Sequence, residues 1–200
     1  MKKVGFIGWR GMVGSVLMQR IEEESNYKDI ESFFFSTSQV GQACPKEYAK
    51  DPILLDASDI YVLSKMDIIL SCQGSDYTKK ILKPLRKSGW NGHWIDAASE
   101  LRMNDDAVIV LDPINQKSIE KAFDKGIKNW VGGNCTVSLM LLAIQGLISE
   151  GVVEWVSSMT YQAASGAGAE NMRELLLQMG QLHSSVEGKL NIKNVNILDL

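Results

Sequence analysis

The sequence predicts an α/β fold, with a parallel sheet flanked by helices and the start of a second, α+β domain. Three observations carry this. Short apolar runs alternate with segments of helical period up to residue 134. A glycine-spaced turn joins the first strand to the first helix. Beyond residue 134 that rhythm gives way to a long apolar segment, a β-prone run and one more helix.

Taken in order, "KVGFI" (3–7) is a short buried strand. Residues 12–24 form a half-apolar helix through Val13, Val16, Leu17, Arg20 and Ile21. "SFFFS" (32–36) is a second strand, followed by a polar, turn-rich stretch to about Asp59; "DIYVLSKM" fits no element clearly. "DIILS" (67–71) is a strand. Residues 76–89 form a helix with Ser75 as N-cap, Gly89 as stop and a kink at Pro84. "HWIDA" (93–97) and "AVIVL" (107–111) are strands, and 115–126 is a helix ending at glycine. "TVSLMLLAIQGLISEG" (136–151) is apolar almost all round, which predicts a deeply buried helix. Residues 152–165 read as strand, and a closing helix places Met172, Leu175, Leu176, Met179 and Leu182 on one face.

Composition narrows the function classes. Of 200 residues, 45% are hydrophobic and 22% charged, enough for a real core. Twenty-one basic against 24 acidic residues give a net charge of −3, and no basic run suggests nucleic acid. No apolar run is long enough to span a bilayer, and glycine-rich polar sequence interrupts any signal-like N-terminus. The reading is a cytoplasmic chain without membrane or nucleic-acid partners. Cys44, Cys72 and Cys135 form no C-x-x-C pair, and neither His93 nor His183 has a second ligand at helical spacing. Neither a disulfide framework nor a metal site is expected.

"GFIGWRGMVGS" reads Gly8-x-x-Gly11-x-x-Gly14 between a strand and a helix. Glycines there permit a tight turn and let a pyrophosphate approach the helix N-terminus, although a packing requirement would select them too. With the βαβ rhythm this predicts a Rossmann-like nucleotide-binding domain. The second strand ends in Ser36, Thr37 and Ser38 rather than in the acid that would hold an NAD ribose. Hydroxyls and Arg10 suit a 2′-phosphate, so NADP is the expected cofactor, although Ser-Thr-Ser also makes an ordinary polar turn. "SCQGSD" (71–76) closes another strand and offers Gln73 to the cofactor, with Cys72 beside it.

"VGGNCTVSLMLL" (131–142) sets Cys135 between a Gly-Gly turn and a helix start. A helix N-terminus stabilises a thiolate, and backbone N–H groups near Asn134 and Cys135 are placed to hold an oxyanion. A thiolate beside a nicotinamide points to a thioester or thiohemiacetal from which hydride moves. Cys72 is the rival thiol, and a free cysteine at a helix start also serves as a small packing residue.

Six motifs in order, "GFIGWRGMVGSVLMQR", "FFSTSQ", "CQGSDYT", "WIDAASELRM", "VGGNCTVSLML" and "YQAASGAGAENMRELL", resemble bacterial aspartate-semialdehyde dehydrogenase from Met1 to beyond residue 180. The resemblance implies an NADP-binding domain over 1–134 and the beginning of a catalytic and dimerisation domain over 135–200. It implies that Cys135 forms the acyl thioester, that Gln162 positions the substrate and that Arg102 binds the substrate's phosphate. It also implies that Arg10, Gly11, Met12, Val13, Thr37, Ser38, Gln73, Ser165 and Gly166 contact NADP. The implied reaction is reductive dephosphorylation of 4-aspartyl phosphate to aspartate 4-semialdehyde, toward lysine, methionine and threonine, by a homodimer. Family members are longer, and their later part supplies a histidine acid/base and an arginine for the substrate carboxylate. No segment around His93 or His183 matches that histidine's motif, so the chain reads as an N-terminal half. Two alternatives remain: an N-acetyl-glutamyl-phosphate type of reductase, and a non-catalytic NADP-binding or dimerisation module.

Overall fold

A computed structural model describes residues 1–190, in two compact units that divide after Glu154. In the first unit the strands are β1 (Lys2–Ile7), β2 (Ile30–Ser36), β3 (Leu55–Asp56), β4 (Ile68–Ser71), β5 (His93–Asp96), β6 (Ala107–Val110) and β7 (Asn129–Gly132). They form a sheet ordered β3-β2-β1-β4-β5-β7-β6, parallel at every pairing. The helices of this unit are α1 (Met12–Glu23), α2 (Ile60–Leu63), α3 (Ser75–Lys87), α4 (Gln116–Asp124) and α5 (Cys135–Ser149). This is the predicted α/β architecture. Two strands, β3 and β7, were not expected from the sequence. The unassigned "DIYVLSKM" becomes the single turn of α2, where the Asp59 carboxylate accepts from the N–H groups of Tyr61 and Val62.

Strand alternation builds a core on each face of the sheet. Val4, Phe6 and Phe34 pack with Trp9 and with Met18 and Ile21 of α1. The Phe6 and Phe34 rings stack at 5.2 Å. On the opposite face Phe35, Ile69 and Trp94 meet Tyr77, Ile81, Leu82 and Leu85 of α3. Each such large apolar side chain contributes about 1.5–3 kcal/mol by leaving water. The N-cap of α3 is Gly74 at φ 97°, not Ser75, because the chain leaves β4 through a conformation only glycine adopts freely.

The face that α1 buries also differs from expectation. Gly14, Met18 and Ile21 are buried, whereas Val13 and Val16 are exposed. A Cβ at Gly14 would collide with the Gly8 carbonyl and the Trp9 backbone, so the missing side chain lets the first turn rest on the loop below. Val13 and Leu17 instead border a cavity of about 1100 Å³, which Leu70, Ile95, Phe123 and Trp130 also line.

Two expectations beyond Asn134 fail. No residue of α5 is buried, and Val137, Leu139, Leu142, Leu147 and Ile148 are exposed. Only a stripe including Thr136, Met140, Leu141 and Ile144 is half-buried, since an all-round apolar helix needs neighbours on every side. Residues 152–163 contain no strand, and Trp155, Met159 and Tyr161 are exposed. β-propensity expresses itself against a neighbouring strand, and among the described residues none pairs with this run. In the second unit a 3₁₀ turn (Ala164–Ala167) leads into α6 (Ala169–Leu190), the expected closing helix.

Candidate active site

β1, β2 and β4 end side by side, and their carboxyl ends define a cleft of about 390 Å³. Gly8, Arg10, Gly11, Ser36, Thr37, Ser38, Cys72 and Gln73 are among the residues lining it. The glycine loop, the strand-end hydroxyls and Gln73, separate in sequence, therefore share one site. Gly8 sits at φ +72°, and a Cβ there would lie 2.5 Å from the Cys72 carbonyl carbon and 2.6 Å from the Gln73 nitrogen. Gly11 caps α1 without a side-chain hydrogen bond, and the first turn of that helix holds no acidic residue. The opening N–H groups of α1, including those of Met12 and Val13, are thus oriented for an anion.

Arg10 is fixed at this cleft. Its Nη2 donates to Ser36 Oγ at 3.0 Å, and its guanidinium lies 5.2 Å from the Trp9 ring centroid. Trp9 is held in turn by donation from Nε1 to the Phe35 carbonyl at 3.1 Å. Ser36 Oγ also accepts from the N–H groups of Ser38 and Gln39, which shapes the turn that exposes Thr37 and Ser38. Among the described residues no carboxylate lines the cleft.

The second site lies where β7 ends. β7 hydrogen-bonds with β5 on one side and β6 on the other. It delivers the chain through Gly132 and Gly133 to Asn134, the N-cap of α5, whose side-chain oxygen accepts from the Val137 N–H at 3.0 Å. Cys135 is the first residue of α5, and it is exposed. A Cβ on Gly133 would meet Ser138 Oγ at 2.5 Å, so the turn packs closely against the first turns of the helix. Cys72 differs: it is half-buried, and burial with a smaller contribution from Asp96 pushes its thiol up to about 11. Such a thiol stays protonated at neutral pH, whereas Cys135 is open to reagents.

Arg102 approaches the same turn from the segment after β5. Its Nε donates to the Gly132 carbonyl at 2.9 Å and its Nη2 to the Gly133 carbonyl at 3.1 Å. That segment is anchored by Asp96, buried at the end of β5. The Asp96 carboxylate accepts from Thr78 Oγ1 at 2.5 Å, Trp94 Nε1 at 3.1 Å and the Ala98 N–H at 2.8 Å. Gln162, Ser165 and Gly166 belong to the second unit, where Gln162 Nε2 lies 2.8 Å from the point a Gly166 Cβ would occupy.

Residues 3–122 match the family model described as semialdehyde dehydrogenase, NAD binding domain, and residues 144–199 match semialdehyde dehydrogenase, dimerisation domain. The chain belongs to the semialdehyde dehydrogenase family. It is similar to the solved aspartate semialdehyde dehydrogenase of Francisella tularensis, at 55% identity and a TM-score of 0.88 over 99% of this chain. It spans 53% of the length of that relative. Aspartate semialdehyde dehydrogenase II of Vibrio cholerae shares the fold at 21% identity and a TM-score of 0.74, with 92% of this chain and 53% of that one covered. The Candida albicans enzyme, solved with NADP, shares it at 18% identity and a TM-score of 0.51, over 75% of this chain and 47% of that one.

Within this semialdehyde dehydrogenase chain, sequence reasoning missed the strand that carries the thiol turn and the buried Asp96. The run Asn-Trp-Val before Gly132 was the available signal for the strand, and an Asp closing "HWID" was the signal for the carboxylate. Neither has a periodicity that marks it.

Proposed function

We propose that this chain carries the cofactor-binding and thiol-bearing part of an NADP-dependent aspartate-semialdehyde dehydrogenase, with Cys135 as nucleophile. One observation carries the reading: an exposed cysteine begins a helix just after a Gly-Gly-Asn turn, in a chain of this family. The cleft at Gly8 fits a dinucleotide phosphate, because the loop has no room for a side chain at Gly8 and the adjoining helix N-terminus is uncapped. Arg10 and the exposed Thr37 and Ser38, with no acid beside them, favour the 2′-phosphate of NADP over the free hydroxyl of NAD. Gln73 of this cleft, with Met12 and Val13 at the start of α1, completes the proposed cofactor contacts there, and the family resemblance assigns Ser165 and Gly166 to the cofactor as well.

The Cys135 thiolate adds to the carbonyl carbon of 4-aspartyl phosphate, and the backbone N–H groups at Asn134 and Cys135 take up the negative oxygen. The acyl C–O bond then breaks, phosphate leaves with its electron pair, and Arg102 balances that charge. When held at the cleft by Arg10, Thr37 and Ser38, the nicotinamide cofactor would supply the hydride for reduction of the resulting thioester. Cys135 is released as the aldehyde forms, with Gln162 orienting the acyl group throughout. The product is aspartate 4-semialdehyde, a branch point toward lysine, methionine and threonine. Through its dimerisation domain the enzyme works as a cytoplasmic homodimer.

Intact-protein mass spectrometry after mixing with 4-aspartyl phosphate tests the first half of the reaction. A Cys135-dependent acyl adduct, lost in Cys135→Ala, is expected. An adduct formed with N-acetyl-glutamyl phosphate and not with the aspartyl compound would reassign the substrate.

A further inference from the structure

Arg102 is tied to the backbone that presents Cys135. A guanidinium has five N–H donors in a rigid fork, and here two of them are spent on successive carbonyls, those of Gly132 and Gly133. These carbonyls lie between the end of β7 and the N-cap of α5, one and two residues before Asn134. Glycines are the least constrained residues in a chain, so a Gly-Gly turn holds its shape only through outside contacts. Contacts of that kind include the pairing of Gly132 with Val110 of β6, the Asn134 side chain on the Val137 N–H, the close approach of Ser138 to Gly133, and the Arg102 fork. The fork is a side-chain contact that reaches both glycine carbonyls from outside the segment, some 30 residues back.

We propose that Arg102 is a positioning residue for the Cys135 turn as well as a ligand for the leaving phosphate. Its bridge across the Gly132 and Gly133 carbonyls fixes the direction in which α5 presents the thiol. Three N–H donors remain on the same group, two on Nη1 and one on Nη2, and an anion held there is held by the group that sets the turn. Presentation of the thiol and recognition of the phosphate thus share one side chain. Arg102 in turn is placed by the segment anchored at Asp96. This inference rests on the assignment of Cys135 as the reacting thiol.

A lysine in place of Arg102 keeps the positive charge but has one nitrogen, which cannot span two carbonyls in a planar fork. The test compares the full chain with Arg102→Lys and Arg102→Ala in phosphate-free buffer at pH 7.5. Iodoacetamide labelling of each cysteine is followed by peptide mapping, and amide exchange over residues 130–138 by mass spectrometry. Both variants are expected to alkylate Cys135 about tenfold more slowly, the scale of one lost charge-assisted hydrogen bond, and to exchange faster across 133–137. Should Arg102→Ala fail to fold, Arg102→Lys decides alone. If Arg102→Lys matches the parent in both measurements, the positioning role is wrong and Arg102 acts through charge alone. If Cys135 in the parent reacts no faster than Cys44 and Cys72, this inference and the assignment of the thiol fall together.

Discussion

Gly8→Ala is the sharpest probe of how the nucleotide cleft is built. At φ +72° an alanine is forced into the left-handed region, at about 1–2 kcal/mol. Its Cβ would also lie 2.5 Å from the Cys72 carbonyl carbon, 2.6 Å from the Cys72 carbonyl oxygen and 2.6 Å from the Gln73 nitrogen. All three are backbone atoms, so no side chain can swing aside, and the β4–α3 turn must move at about 1–3 kcal/mol. The sum of about 2–5 kcal/mol is a large share of the roughly 5–15 kcal/mol that holds an ordinary domain together. Urea unfolding should show it as a lower midpoint with an unchanged slope. The displaced turn carries Gln73, so fluorescence titration of NADPH should weaken alongside stability. A variant as stable as the parent, with the same affinity, would refute the claim that backbone packing dictates glycine at this position.

Other outcomes follow from the same geometry. Asp96→Ala removes the carboxylate that accepts from two buried donors and one half-buried donor and should cost about 2–4 kcal/mol by chemical denaturation, while a loss under 1 kcal/mol would mean that the network is dispensable. Arg10→Ala should weaken NADP binding about tenfold and NAD binding much less; equal losses for both cofactors would remove the 2′-phosphate argument. With its thiol at about 11, Cys72 should alkylate well after Cys135 at pH 7.5, and peptide mapping that finds Cys72 first would reverse the assignment. His93 Nδ1 accepts from Trp130 Nε1, and burial first, then Lys128, Arg86 and Lys2, hold its pKa below 6.5. The unfolded chain therefore binds the proton more readily, so His93 supports the fold fully above pH 6.5 and loses that support as pH falls through its folded value. Between pH 7.5 and 5.5 the parent's melting temperature should fall further than that of His93→Gln, and parallel curves would discount the histidine.

What could be read from the sequence was what is local. The glycine loop, the hydroxyl turn and Gln73 each follow a strand, and the parallel fold gathers strand ends at one edge, so naming the strands nearly assembles the cleft. The place of Cys135 was legible to within one residue, because the apolar run from Thr136 marks the helix that in the structure begins at Cys135. The contacts that set the site were not legible. Nothing in "ELRM" indicates that Arg102 reaches carbonyls 30 and 31 residues onward. The face of α1 was misjudged because Gly14, which has no side chain to register as apolar, is the residue that seats the helix. The apolar pattern of α5 and the β-prone run after it express affinity for neighbours, and burial depends on whether those neighbours lie alongside.

The place of β7 in the sheet has a consequence for how the molecule comes into being. Among the described strands β7 is last in sequence, yet it lies between β5 and β6, and β6 pairs with no other of them. During synthesis β6 emerges with nothing to join, and its backbone groups wait in water until residues 129–132 arrive to bridge it to β5. The strands of the nucleotide cleft, β1, β2 and β4, are complete by Ser71 and neighbour one another directly. The strands of the cofactor side are therefore available to pair with one another before those of the thiol side. Residues 129–132 thus both bring β6 into the sheet and lead into the turn that presents Cys135, so one short segment serves the sheet and the reactive corner together.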